Sequence, residues 1–164
     1  MNKQDIQVFY KYNNWANKRI LDTAAQVTAE QFLAPASYPH GGLRSTLTHT
    51  LFAEWIWRKR WLGESPSQRM KPEDFPTFTS LQARWLEEEI ALNAFVESLS
   101  DEKLNAPFYF KTTQGNEMES ILWHAMVHVV NHGTQHRSEA AVMLTDFDHS
   151  PGEIDMIGFF REMK

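Results

Sequence analysis

The sequence predicts an all-α protein, a four-helix bundle with at least one long crossover, small extra helical turns and a short hairpin. Three observations carry that prediction. Apolar residues recur at steps of three and four in four separate stretches. Connections marked by proline, glycine and polar residues divide those stretches. Apolar residues make up 42% and aromatics 13% of 164 residues, enough to fill the interior of one domain spanning 1–164.

The first helix is expected over 3–26, where Val8, Phe9, Tyr12, Trp15, Ala16, Ile20 and Leu21 mark its apolar stripe. A short helical turn over 28–33 follows, then a loop over 35–42 with two prolines and two glycines. The second long helix covers 45–62 and stops at Gly63, with Pro66 beyond it. The basic run Arg58, Lys59, Arg60 reads as its solvated C-terminus, favoured by the helix dipole. A polar connection over 64–78 holds three prolines. Thr79, with Gln82 as capping-box partner, opens a third helix to about 98. A turn over 100–104 precedes 107–116, which reads as a short hairpin or extended arm. The fourth long helix starts near 117–119 and runs to 144, and an amphipathic helix over 153–162 closes the chain.

Composition narrows the function. There is no cysteine, which excludes disulfides, thiolate ligands and a cysteine nucleophile. A formal charge of −5 argues against nucleic acid as a partner. The apolar runs are too short to cross a bilayer, and the N-terminal stretch has no signal-type apolar core, so a cytoplasmic protein without membrane partners is expected.

The chemistry concentrates in histidine. His124, His128, His132 and His136 stand at four-residue intervals on the last long helix. Side chains at i and i+4 share a helix face, and two imidazoles so placed can bind one metal ion. With Ile121 at zero and about 100° per residue, Ile121, Leu122, Ala125, Met126, Val129 and Gly133 span an apolar arc from about 0° to about 140°. His132 near 20° and His136 near 60° fall inside it, His128 near 340° on its edge, and His124 near 300° outside. His49 shares a stripe with Phe52, Ala53 and Ile56, so it also points toward packed surface. Three histidines from two helices suit a metal site with an open position. A buried histidine is also a common hydrogen-bonded core residue, so a plain structural bundle stays open at this point. His40 and His149 lie in Pro/Gly loops and read as solvated.

Three segments then match a known pattern: FYKYNNWANKRIL, LRSTLTHTLFAEWIW and HVVNHGTQHRSEAAVML. Together they resemble the DinB/YfiT-like family of small bacterial metal-binding four-helix bundles. The last segment is the most specific: the family reads N-H-G-x-x-H-R-G-Q, and here Asn131, His132, Gly133, His136 and Arg137 match while Ser138 and Glu139 depart. The resemblance implies a site at His49, His132 and His136, with zinc or nickel as the usual divalent ion. It also implies a small-molecule substrate and an external low-molecular-weight thiol, such as bacillithiol or mycothiol, as cosubstrate in transferases or isomerases. Glu139, a turn beyond His136, and His128 are the candidate catalytic groups, as base or ligand-orienter and as proton shuttle; a salt-bridging carboxylate and a positioning imidazole are the plain alternatives. A metal-dependent hydrolase and a non-catalytic metal or small-molecule binding module are the rival readings. Trp55, Trp57 and Trp61 face different directions on the second helix, so a homodimer is expected as well. If neutral imidazoles hold the ion, binding should weaken as the pH falls toward about 5.

Overall fold

The computed structural model describes residues 1–163. In chain order the elements are α1 (Lys3–Ala24), α2 (Ala29–Leu33), α3 (Leu43–Trp61), a 3₁₀ turn (Pro72–Asp74), α4 (Phe78–Glu97), α5 (Asp101–Asn105), β1 (Pro107–Lys111), β2 (Glu117–Ile121), α6 (Leu122–Asp146) and α7 (Met156–Glu162). The four long helices form a ring in which α6 packs against α1 and α3, and α4 packs against the same two. This is the all-α bundle that the periodicity predicts.

Two apolar clusters fix the directions of the helices. One joins Ile6 and Tyr10 of α1, Trp61 of α3, Phe95 and Val96 of α4, and Leu122 to Val130 of α6. The other joins Ile20 and Ala24, Leu43 to Leu51, Leu81 and Trp85, and Ala140 to Leu144. α1 and α6 therefore run one way and α3 and α4 the other, an up-down-down-up bundle. Because α3 and α4 are parallel neighbours, the chain between them must return along α3, about 28 Å for 19 residues. The proline-bearing connection from Leu62 to Thr77 makes that journey, and is the long crossover.

Several boundaries differ from expectation, each for a local reason. Thr77, not Thr79, caps α4: it follows Pro76 and its hydroxyl accepts the Ser80 amide N–H, so the helix begins at the first available cap. Residues 117–121 are not helical. They pair antiparallel with β1, Phe110 opposite Met118 and Tyr109 opposite Glu119, because an extended partner was available for them. α6 consequently starts at Leu122. α1 stops at Ala24 and α7 begins only at Met156. Phe108 and Phe110 stack on one side of the hairpin, and Phe110 meets the Trp57 ring, so the hairpin covers the C-terminal half of α3. Among the described residues no helix is long and apolar enough to cross a membrane.

Candidate metal centre

A buried polar layer separates the two apolar clusters. Arg137 of α6 donates from one terminal nitrogen to Asn13 Oδ1 at 2.7 Å and Asn17 Oδ1 at 2.8 Å. Both asparagines, on α1, donate in turn to Glu54 Oε1 of α3, at 2.7 and 2.8 Å. Burial raises the Glu54 pKa, against the two amide hydrogen bonds and the Arg137 charge, which lower it. Buried polar groups need partners; here two amides relay a carboxylate to a guanidinium across the bundle. The layer is missed by the helical wheel, which puts Arg137 near 160°, just past the apolar arc.

At the same level, histidines from α3 and α6 converge. His49 Nε2 and His132 Nε2 stand 3.1 Å apart, and His132 Nε2 and His136 Nε2 stand 3.2 Å apart. Glu139 Oε2 lies 2.8 Å from His136 Nδ1. His128 is farther along α6: its ring centre is 5.8 Å from that of His132 and 5.4 Å from that of Trp57. His124 packs edge-on against its neighbour Trp123, away from the cluster.

His40 corrects the expectation of a solvated loop residue. Its ring stacks on His49, with centres 3.7 Å apart and planes 14° apart, and meets His136 edge-on. The loop that carries it is held close by Gly42, where an added Cβ would fall 2.0 Å from the Ala34 carbonyl oxygen. No periodicity in the sequence reports such a loop packing. His149 shows no ring contact with the other histidines.

The electrostatics follow from crowding. Burial first, then the neighbouring His40, His132 and His136, push the His49 pKa down to about 3. Burial, then His136, His128 and His40, push His132 down to about 4. His40 and His128 are lowered too, chiefly by burial. His49 and His132 are therefore held as neutral imidazoles, the form that offers a lone pair to a cation.

The residues fit a metal. Nitrogens about 2.0–2.1 Å from a tetrahedral ion lie about 3.3–3.4 Å from each other, close to the 3.1 and 3.2 Å separations seen. His132 Nε2 carries either one proton or one lone pair, so by hydrogen bonding it cannot serve both neighbours well. A cation accepting lone pairs satisfies all three rings. His40, His49 and His136 also offer ring nitrogens within 4.8 Å of one another, a different trio. His49 and His136 are common to both trios.

A family model described as the DinB family matches residues 1–162. The chain belongs to the DinB family. It is also similar to Protein DinB of Bacillus subtilis (strain 168), 22% identical over 151 residues that cover 89% of this chain and 88% of that protein. DinB membership and the histidine cluster are together compatible with metal binding.

Proposed function

We propose that this DinB-family protein binds a divalent ion, zinc or nickel, through His49, His132 and His136, and uses it as a cytoplasmic enzyme in thiol-dependent transfer on a small molecule. The convergence of three Nε2 atoms from two helices is the observation that supports this reading most. An ion held by three neutral ligands keeps its positive charge and makes an external thiol or water more acidic. The thiol must be external because the chain has no cysteine.

The protein's own groups prepare the site. Glu139 Oε2 accepts a hydrogen bond from His136 Nδ1–H, which fixes the tautomer and leaves the Nε2 lone pair aimed at the cluster. Glu139 is thus a positioning residue in this reading, not the base. His128, neutral and beside the cluster, is the remaining candidate to carry a proton between site and solvent. His40 covers one face of the His49 ring.

Metal analysis of untagged protein tests the first half: about one ion per chain is expected in wild type, and His136→Ala should lose it. Full metal retention by His136→Ala would overturn the ligand assignment. A panel of electrophiles with and without added thiol tests the second half; turnover that needs no thiol would point to hydrolysis instead. A homodimer remains part of the proposal, although Trp61 is used in the core and Trp57 against Phe110. Sedimentation as a monomer at micromolar concentration would remove it.

A further inference from the structure

The histidines open into a cleft of about 430 Å³, walled by α3, by the long crossover and by the hairpin turn. Its α3 wall continues from His49 through Ala53, Ile56 and Trp57 to Arg60, at steps of four, three, one and three residues. His49 and Arg60 are therefore about 16 Å apart along the helix axis. The basic run that ends in Arg60 reads in sequence as a solvated helix end, and for Arg60 the structure overturns this: it is only 8% exposed. Its guanidinium lies against an edge-on pair of aromatic rings, 4.8 Å from the Trp57 ring centre and 5.0 Å from that of Phe110.

Arg60 differs from Arg58 and Arg137 in its partners. Arg58 pairs with Glu88, and the terminal nitrogens of Arg137 donate to Asn13, Asn17 and Thr134, although its Nε too has no acceptor, whereas among the described residues no side chain accepts from any nitrogen of Arg60. Arg60 Nε is buried with no acceptor, and among the described residues no carboxylate stands close enough to offset the desolvation of its charge. A buried Nε–H without an acceptor is costly, and the two rings satisfy the charge in part while leaving that donor idle. Its planar fork matches an oxyanion in a bidentate pair. A second cation, Arg69, lines the same cleft from the crossover and is held there by a 3.0 Å hydrogen bond to Thr113 Oγ1.

We propose that the cleft takes an elongated small molecule whose far end carries an oxyanion, a carboxylate or phosphate, bound by Arg60 while the near end reaches the histidines. This rests on the cleft being the substrate site of the proposed function, and it names the substrate class. The apolar wall between the two ends, Ala53, Ile56 and Trp57, suits a hydrocarbon or similar spacer.

The test titrates hexanoate, hexyl phosphate and hexanol into the protein and follows the Arg60 Nε–H and the indole N–H of Trp57 by NMR. At least one of the two anions should bind tenfold or more tightly than hexanol, with the Arg60 resonance shifting saturably; which anion leads identifies the oxyanion. Arg60→Gln should erase that margin and leave hexanol binding unchanged. Equal binding of hexanol and both anions, or a margin that survives in Arg60→Gln, would overturn the proposal. Should Arg60→Gln fail to fold, the wild-type Arg60 resonance decides by itself: saturable movement supports the anchor and no movement rejects it. Running both metal-free and zinc-loaded protein separates the two ideas, since the metal-free titration scores the anion site even if zinc does not bind.

Discussion

The contact between Glu139 and His136 Nδ1 carries a sharp consequence for single side chains. A carboxylate that orients a ligating imidazole typically accounts for 10–100-fold in metal affinity. Glu139→Ala should therefore weaken metal binding by about 10–100-fold without abolishing it, whereas Glu139→Gln, which still offers an oxygen to Nδ1–H, should fall less. Competition against a chromophoric chelator measures both. Unchanged affinity in Glu139→Ala would mean that the 2.8 Å contact is an incidental ion pair. At this scale the sequence is legible where periodicity speaks. His49, His132 and His136 sit on regular helices, so their faces can be read by counting. His40 cannot be read so, because its position depends on a loop pressed against Ala34 at Gly42. Arg60 is hidden for another reason: the rings that bury it come partly from the hairpin, far away in sequence.

Among the elements, α6 depends on Gly133, one residue after the His132 ligand position. Helix propensity alone favours alanine there by about 0.8–1.0 kcal/mol. The structure opposes it: an added Cβ would lie 2.7 Å from an Arg137 terminal nitrogen and 3.2 Å from Asn13 Oδ1. Neither neighbour can retreat freely, since each is tied into the buried relay to Glu54. Overpacking of this kind costs about 1–3 kcal/mol, so Gly133→Ala should lower the urea midpoint despite its better propensity. A raised midpoint would show that the relay yields. The same element shows how local signals mislead at boundaries. Acidic residues at 117–119 look like a helix start, yet strand pairing with 107–111 across a short turn takes them, so two local signals compete and the hairpin wins. The buried layer of Asn13, Asn17, Glu54 and Arg137 is invisible, because each member alone resembles an ordinary surface residue of an amphipathic helix.

For the molecule as a whole, the packing of α3 and α6 sets a pH response. The groups that face the cluster are His40 from the α2–α3 loop, His49 from α3, and His128, His132, His136 and Glu139 from α6. In the folded, metal-free chain His49 is held at about 3 and His132 at about 4, while in the unfolded chain each titrates near about 6.5. As pH drops below about 6.5, the unfolded state takes up protons that the folded state refuses, so the balance moves toward unfolding. The stability tied to these groups is thus complete above about 6.5, falls as the medium is acidified, and stops falling once the folded-state values of about 4 and about 3 have been passed. Urea titrations of chelator-treated protein at several pH values should show this decline, and His49→Gln should make it shallower; a stability that is flat or rises on acidification would contradict it. Metal binding inherits the same origin. Proton competition for His49 and His132 is displaced below the window near pH 5 that unperturbed imidazoles imply, because burial has already stripped these two rings of their protons. An affinity for zinc that persists to about pH 5 and collapses only below it is therefore the expected signature of a preorganised cluster, and a loss already complete near about 6.5 would show that the imidazoles meet the ion in solvent rather than in this packed arrangement.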